Sequence, residues 1–278
     1  MLPINWNAAI QYAVLVKIAE TVDPAGSYGP DDISQIQNAG YTFLQTIYGD
    51  DLATDIDSHL GDIVTFGFLA VSAAKELVAV IRGTDSLLEW LHDASFLMVP
   101  TPINGSHGFT EDGFTAVYRS LRIGQANGTP STKDSIKGYL DNGAAASVTV
   151  CGHSLGGALA TFLTLDVGLN TSCRTPTAYS YASPRAGDHN FAGSFNAAIS
   201  SCYRIANRQD LVPKLPPILP LPYEHVNTQY ELNPPQGKID PSIPCMHHLT
   251  TYLWLMAQLV GSNAYPLDGC VSTGTFHI

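Results

Sequence analysis

The chain is poor in charge. Only 13% of its 278 residues are Asp, Glu, Lys or Arg, about half the share usual in soluble domains. Basic residues are the scarcer kind: 13 Lys and Arg stand against 24 Asp and Glu, a net charge of −11. No Lys/Arg run occurs, which excludes the electrostatic footprint of a nucleic-acid binder. The same imbalance repels anionic membrane surfaces, so contact with lipid must rest on apolar area. Long apolar runs are missing too, and none approaches the ~18 residues of a transmembrane span. The opening stretch, MLPINWNAAIQYAVLVKIAE, has no basic segment before its apolar part. It reads as part of the fold and not as a signal peptide. A mature chain without its leader would read the same way, and a secreted mature form is expected ahead of a cytoplasmic one.

The five cysteines form no CxxC pair, and an odd count leaves a thiol unpaired within the chain. Cys151 falls in a strand-like run and reads as a small apolar residue. Cys245 with Cys270 is the pairing considered for one disulfide. His247 and His248 are adjacent, but no Asp/Glu/His spacing of a metal site accompanies them. Neither metal nor cofactor is expected. Three Asn-x-Ser/Thr sequons, at Asn104, Asn127 and Asn170, matter only in a eukaryotic secreted chain.

What the chain does have is material for a core. Hydrophobic residues make up 45% of it, which excludes disorder as the dominant state. No repeat, low-complexity tract or linker divides it, so residues 1–278 read as one domain. Residues 7–22 and 31–39 read as helices. Tyr41–Tyr48, Ile63–Val71 and Leu77–Arg82 read as strands, rich in β-branched and aromatic residues. Helix is expected from Gly83 to about Val99, around Glu111–Ile123 and over Thr132–Leu140. From residue 147 strands and helices alternate: Ser147–Cys151, Leu155–Leu169, Thr177–Ala182, Phe191–Ile199 and Cys202–Ala206. A Pro-rich loop then leads to a hairpin-like Tyr223–Leu232 and a closing helix, His248–Val260. That alternation predicts an α/β sheet with crossover connections.

The sharpest motif is GHSLG, residues 152–156. A β-branched strand precedes it and an Ala/Leu-rich helix follows, the setting of a nucleophile elbow, with Ser154 at the tip. Gly152 and Gly156 must be small for so tight a turn. A serine hydroxyl needs a base, and the base needs an orienting carboxylate. The downstream acids are Asp166, Asp188, Asp210, Asp240, Asp268, Glu224 and Glu231. Asp166 lies on the helix after the serine and points away, and Asp188 reads as a helix cap. Asp210 directly follows the strand CYRIA, where α/β sheets carry functional groups. The histidines available as base are His225, His247, His248 and His277. Of these, His247 and His248 open the last helix at a loop junction.

With these residues in view, the chain resembles the class 3 lipases, the fungal-type triacylglycerol lipase family, over most of its length. VIRGTDSLLEW (80–90) is similar to the family's oxyanion turn and lid start, and CGHSLGGALA (151–160) to its elbow. YASPRAGDHNFA (181–192) is similar to its Ser-Pro-Arg segment. RIANRQDLVPKLPP (204–217) resembles its Asn-x-x-Asp-x-Val-Pro stretch, which carries the triad aspartate onto Asp210. HHLTTYL resembles the family's histidine segment and favours His247 over His248. One departure is EDGFTAVY (111–118), where Glu111 stands in the place of a family histidine.

The resemblance implies an α/β-hydrolase-like fold, a mostly parallel sheet with helices on both faces. It implies a Ser154–His247–Asp210 triad and oxyanion donors at Thr84 and Leu155. It further implies a lid over residues 85–99, where Leu87, Leu88, Trp90 and Leu91 would meet substrate at a lipid–water interface. The expected activity is ester hydrolysis on lipids, first as a triacylglycerol lipase. A feruloyl or other soluble-ester esterase and a phospholipase A1 are the rivals within the class. A catalytically silent lipid-binding module is the rival outside it.

Overall fold

A computed structural model describes residues 3–51, 62–83, 96–126 and 128–272. The expected lid therefore lies outside the described residues up to Ser95, as do Thr84, Leu87, Leu88, Trp90 and Leu91.

The large sheet is built from β1 (Tyr41–Asp51), β2 (Asp62–Ser72), β3 (Glu76–Ile81), β6 (Arg122–Ile123), β7 (Ser147–His153), β8 (Thr177–Tyr181), β10 (Ser201–Asn207) and β12 (Gln229–Leu232). Its order is β12-β10-β8-β7-β3-β2-β1-β6. From β12 to β3 every pairing is parallel; β2, β1 and β6 extend it antiparallel. A parallel strand buried on both faces should be apolar throughout, and β3 reads ELVAVI. Its side chains alternate between two cores: Leu77, Ala79 and Ile81 face one, Val78 and Val80 the other.

On the first face lie α3 (Asp112–Ser120), α4 (Thr132–Asp141), α5 (Leu155–Asn170) and α6 (His189–Ala198), contributing Phe114, Ile136, Phe162 and Phe195. On the second lie α1 (Trp6–Thr21), α2 (Pro30–Asn38) and α8 (Leu249–Leu259), contributing Leu15, Ile36 and Leu253. The Asn5 side chain accepts the Asn7 and Ala8 N–H groups and so caps α1, which stops two residues short of Asp23-Pro24. Helix α5 is buried nearly all round, as its Ala, Gly and Leu content allows. No helix among the described residues is long and apolar enough to cross a membrane.

Several expected boundaries shift. Val99 is not helical: β4 (Met98–Pro100) pairs with β5 (Phe109–Glu111) in a second, smaller sheet. β9 (Gly187–Asp188) and β11 (Tyr223–Glu224) complete that sheet. Tyr223–Leu232 is therefore not a hairpin. Its first half joins β9 antiparallel, and its second half, β12, joins β10 parallel. Alternating side chains mark a strand without naming its partner, and here the turn between the halves is tied elsewhere. The Arg204 guanidinium donates to the Val226 carbonyl, and His225 Nε2 to the Pro213 carbonyl. The helix expected over Glu111–Ile123 is α3 alone, since Arg122–Ile123 leaves it to pair with β1. The closing helix is preceded by a short one, α7 (Ile243–His247), with His248 as the cap between them. Cys245 and Cys270 form a disulfide, and Cys151, Cys173 and Cys202 are free thiols.

Glu111 is a local test of burial against capping. Its Oε2 accepts the Phe114 N–H at 2.6 Å and caps α3, yet the residue is only 3% exposed. Burial pushes its carboxyl up to about 7, against the opposing pull of the Phe114 and Gly113 amides. A folded-state value above the unfolded one means the fold favours the protonated acid. That preference is complete below the unfolded value and is lost as pH rises through about 7. Glu111→Gln keeps a cap acceptor without the charge. Urea unfolding should show the variant equal to the parent near pH 4 and more stable near pH 8, by up to ~3 kcal/mol.

Candidate active site

The site forms where β7 turns into α5. A Cβ on Gly152 would lie 2.2 Å from the Gly156 carbonyl oxygen, and one on Gly156 would lie 2.3 Å from that of Ile81. No side chain fits at either place, so strand and helix meet with bare backbone. Ser154 at the tip takes φ 58°, ψ −128°, a conformation that L residues rarely adopt. Its N–H donates to the Tyr181 carbonyl at 2.9 Å, and the residue is buried. Leu155 opens α5, and the N–H groups of a first helical turn have no intrahelical acceptor. The end of β3 closes in from the side: a Cβ on Gly83 would sit 3.1 Å from Ser154 Cβ. Arg82, beside it, is buried and donates to the Val22 carbonyl at 3.0 Å, tying this turn to the end of α1.

Asp210 follows β10 and is fully buried. Its Oδ2 accepts from His247 Nδ1 at 2.9 Å and from the Tyr252 hydroxyl at 2.7 Å. Its Oδ1 accepts the Val212 N–H at 2.9 Å. With Nδ1 donating, His247 presents Nε2 as its free lone pair. Burial lowers the His247 ring below the ordinary histidine range, opposed by the Asp210 hydrogen bond. Ser154 Oγ and His247 Nε2 are both buried, and neither has a hydrogen-bond partner among the described residues. Catalytic hydrogen bonds are often long in free enzymes and tighten only with substrate.

His225, His248, Asp166, Asp188, Glu224 and Asp240 are engaged elsewhere. His248 is exposed and caps α8, its Nδ1 accepting the Thr250 N–H at 3.3 Å. His225 gives its Nε2 to the Pro213 carbonyl at 2.6 Å, and burial pushes it down to about 3, so it is a neutral strut. Asp166 accepts from Tyr118 and Asn170 on the far side of α5. Asp188 caps α6 through the Phe191 N–H. Glu224 meets the exposed His189, and Asp240 accepts the Ser242 N–H. Arg185 of the Ser-Pro-Arg segment donates to the Pro216 carbonyl at 2.6 Å and secures the Pro-rich loop after Asp210. His277 lies outside the described residues.

Four residues that sequence reasoning did not single out belong to this neighbourhood. The Tyr252 hydroxyl accepts the Asn207 N–H at 2.9 Å while donating to Asp210. The Asn207 side chain donates to the Met246 carbonyl, one residue before His247. His153 lies against the His247 ring at a tilt, centroids 4.7 Å apart, and pairs with Glu20 of α1. Asn207, His153 and Tyr252 each lie within a stretch already noted for other residues; Glu20 carries no local signal.

A family model described as Lipase (class 3) matches residues 78–219. Phospholipase A1-II 6 of Oryza sativa subsp. japonica is 30% identical over 224 residues, covering 70% of this chain and 54% of that protein. Phospholipase A1-IIgamma of Arabidopsis thaliana is 29% identical over 227 residues, covering 70% and 51%. The chain thus spans about half the length of the curated relatives it matches. Among solved structures, the nonglycosylated LIP2 lipase of Yarrowia lipolytica superposes with a TM-score of 0.64 at 21% identity, covering 86% of this chain and 82% of that one. The triacylglyceride lipase of Rhizomucor miehei gives 0.61 at 20% identity, covering 81% and 79%. These likenesses show the α/β-hydrolase fold.

The geometry separates the two adjacent histidines. His247→Ala should lower ester turnover on the order of 10⁴-fold. His248→Ala should cost about 1 kcal/mol of stability through its lost cap, with turnover nearly unchanged. Steady-state rates and urea melts of both variants check this. The lowered His247 ring also sets a sign: the acid limb of kcat/KM should fall below the ordinary histidine value of about 6.5.

Proposed function

The chain belongs to the class 3 lipase family, and from its site we propose that it is a serine carboxylic-ester hydrolase acting on lipid esters, working as one α/β-hydrolase unit. The observation that carries this reading is the Asp210–His247 pair, tied through the His153 side chain to a serine held at positive φ. In the proposed reaction Ser154 Oγ attacks the acyl carbonyl while His247 Nε2 takes its proton. Asp210 stabilises the imidazolium that forms, and that proton then goes to the departing alcohol. Leu155 and Thr84 offer N–H groups to the oxyanion, each worth about 3 kcal/mol in the transition state. Water, deprotonated by the same histidine, releases the acid from Ser154. Leu87, Leu88, Trp90 and Leu91 are proposed to meet lipid, on their place in the sequence after the oxyanion turn.

Triacylglycerol is the first substrate reading, since a net charge of −11 disfavours anionic surfaces. Phospholipid, cleaved as by a phospholipase A1, is the second, supported by the names of the sequence relatives. A silent binding module has no need for a nucleophile, a base and an orienting carboxylate together.

Two measurements test the proposal. A fluorophosphonate should label the parent stoichiometrically and leave Ser154→Ala unlabelled, with Ser154→Ala hydrolysis lost while its melting curve stays at the parent's. Turnover by Ser154→Ala within tenfold of the parent's would refute the nucleophile assignment. Fatty-acid release from triacylglycerol emulsions and from neutral phosphatidylcholine vesicles, compared at equal interfacial area, chooses between the substrates.

A further inference from the structure

His153, the residue between Gly152 and the serine, is buried at 6% exposure, and the catalytic scheme above leaves it unused. Both ring nitrogens are engaged. Nδ1 lies 2.8 Å from Glu20 Oε1, and Nε2 lies 2.9 Å from the main-chain carbonyl oxygen of His247. A carbonyl oxygen can only accept, so Nε2 must carry a hydrogen. The proton between Nδ1 and Glu20 can sit on either partner without disturbing that bond. His153 therefore donates to the His247 carbonyl in every protonation state this pairing allows.

The receiving carbonyl matters because of where it lies. His247 ends α7, and the chain turns to extended backbone at His248 (φ −58°, ψ 135°) before α8 begins. The base thus sits at a helix junction, where its own carbonyl has left the helical pattern. Asn207 holds the preceding carbonyl, that of Met246, at 2.8 Å. The two carbonyls flanking the His247 Cα–N linkage are thus held by β10 and by the elbow itself. The imidazoles of His153 and His247 also lie against each other, with centroids 4.7 Å apart and planes tilted at 33°.

We propose that His153, fixed by Glu20 of α1, is a positioning residue of the ester-hydrolysis site, clamping the main chain of His247 to the nucleophile elbow and holding its own ring against that of His247. This inference rests on the roles proposed for Ser154 and His247. Because His153 directly precedes Ser154, the clamp references the base to the nucleophile through a single peptide unit.

The electrostatic half follows from the surroundings. Glu20 from α1, His247 from α7, His248 at the α8 cap, Asp210 after β10 and Tyr252 from α8 all face the pair, with Lys17 acting on His248. Burial drives the His153 ring toward neutrality, but the Glu20 carboxylate overrides this and holds it above the usual range. That positive charge lowers His247, while Glu20 more weakly raises it. Removing the His153 charge should therefore raise the proton affinity of His247 and move the acid limb upward.

Three variants separate clamp from charge. His153→Leu loses both. His153→Gln places an amide donor near the position of Nε2 and loses only the charge. Glu20→Gln leaves the imidazole and its Nε2–H but removes the counter-charge. Hydrolysis of a dissolved short-chain ester should show kcat for His153→Leu falling about 10²-fold, the cost of a misplaced group, with KM little changed. His153→Gln and Glu20→Gln should each recover most of that loss. All three should shift the acid limb of kcat/KM upward, by about one pH unit. Should His153→Leu fail to fold, the acid limbs of the other two decide. Parent-like kcat in His153→Leu together with unmoved limbs would overturn the proposal. Ser154→Ala runs alongside: if it is inactive while the His153 variants behave as parent, the positioning role fails and the triad reading stands. An active Ser154→Ala would remove the triad reading instead.

Discussion

One backbone contact sets the rest of this structure. Where β7 meets α5, Gly152 lies against the Gly156 carbonyl and Gly156 against the Ile81 carbonyl, too close for any side chain. That approach leaves the residue between them no ordinary conformation, and Ser154 takes φ 58°. A strained residue of this kind costs on the order of 1–3 kcal/mol and persists only where its surroundings hold it. Here the restraint comes from three sides. The Ser154 N–H is bound to Tyr181 of β8, α5 is buried on nearly every face, and β3 presses in at Gly83. The serine is thus presented at the carboxyl end of the parallel strands, the end to which Asp210 is also delivered by β10.

Much of this is legible in the sequence, and the physical reason is locality. The elbow is specified within a few residues, by glycines whose contacts are to near neighbours and to one adjacent strand. Asp210 can be read because a strand ends beside it, and the Asp188 cap because its acceptor, Phe191 N–H, is three residues away. What could not be read depends on partners distant in the chain. Gln229–Leu232 alternates like a hairpin arm, yet its partner is the parallel β10, reached because Arg204 and His225 pull the preceding turn inward. Met98–Pro100 looks like the tail of an apolar helix but completes a small sheet with Phe109–Glu111. His247 and His248 are equivalent by composition. The family resemblance favours the first of them, and the physical difference arises because α7 ends between them, aiming one ring at Asp210 and leaving the other as a cap. Glu20 lies 133 residues from His153, and no local pattern announces that contact.

One of the chain's few charged side chains lies fully buried at the site. An ionised group is costly to bury unless it is hydrogen-bonded or paired. The buried Asp210 satisfies that condition with a phenol, a backbone amide and an imidazole. In the reaction proposed above none of those donors needs to move, so the carboxylate would be oriented before charge develops on His247. An acceptor arranged in advance is worth more than one that must be reorganised at the moment of need.

The same economy bears on the base itself. A histidine that stays protonated at rest cannot accept a serine proton, and one that never charges cannot hold it. Burial pushes His247 toward the neutral form, and in the proposed reaction the Asp210 hydrogen bond would make the transient imidazolium tolerable. These two effects act on opposite states of the ring, the first before the attack and the second during it. The neighbouring His153 adds to the first, whereas Glu20 partly offsets that effect. The proton affinity of the His247 ring is therefore set by its burial and by groups from α1, β7 and the end of β10 together. On that proposal a helix more than a hundred residues upstream would take part in tuning a proton transfer, because α1 packs in the same core as Met246 and Leu249, the residues on either side of the histidine pair, and brings Glu20 to His153.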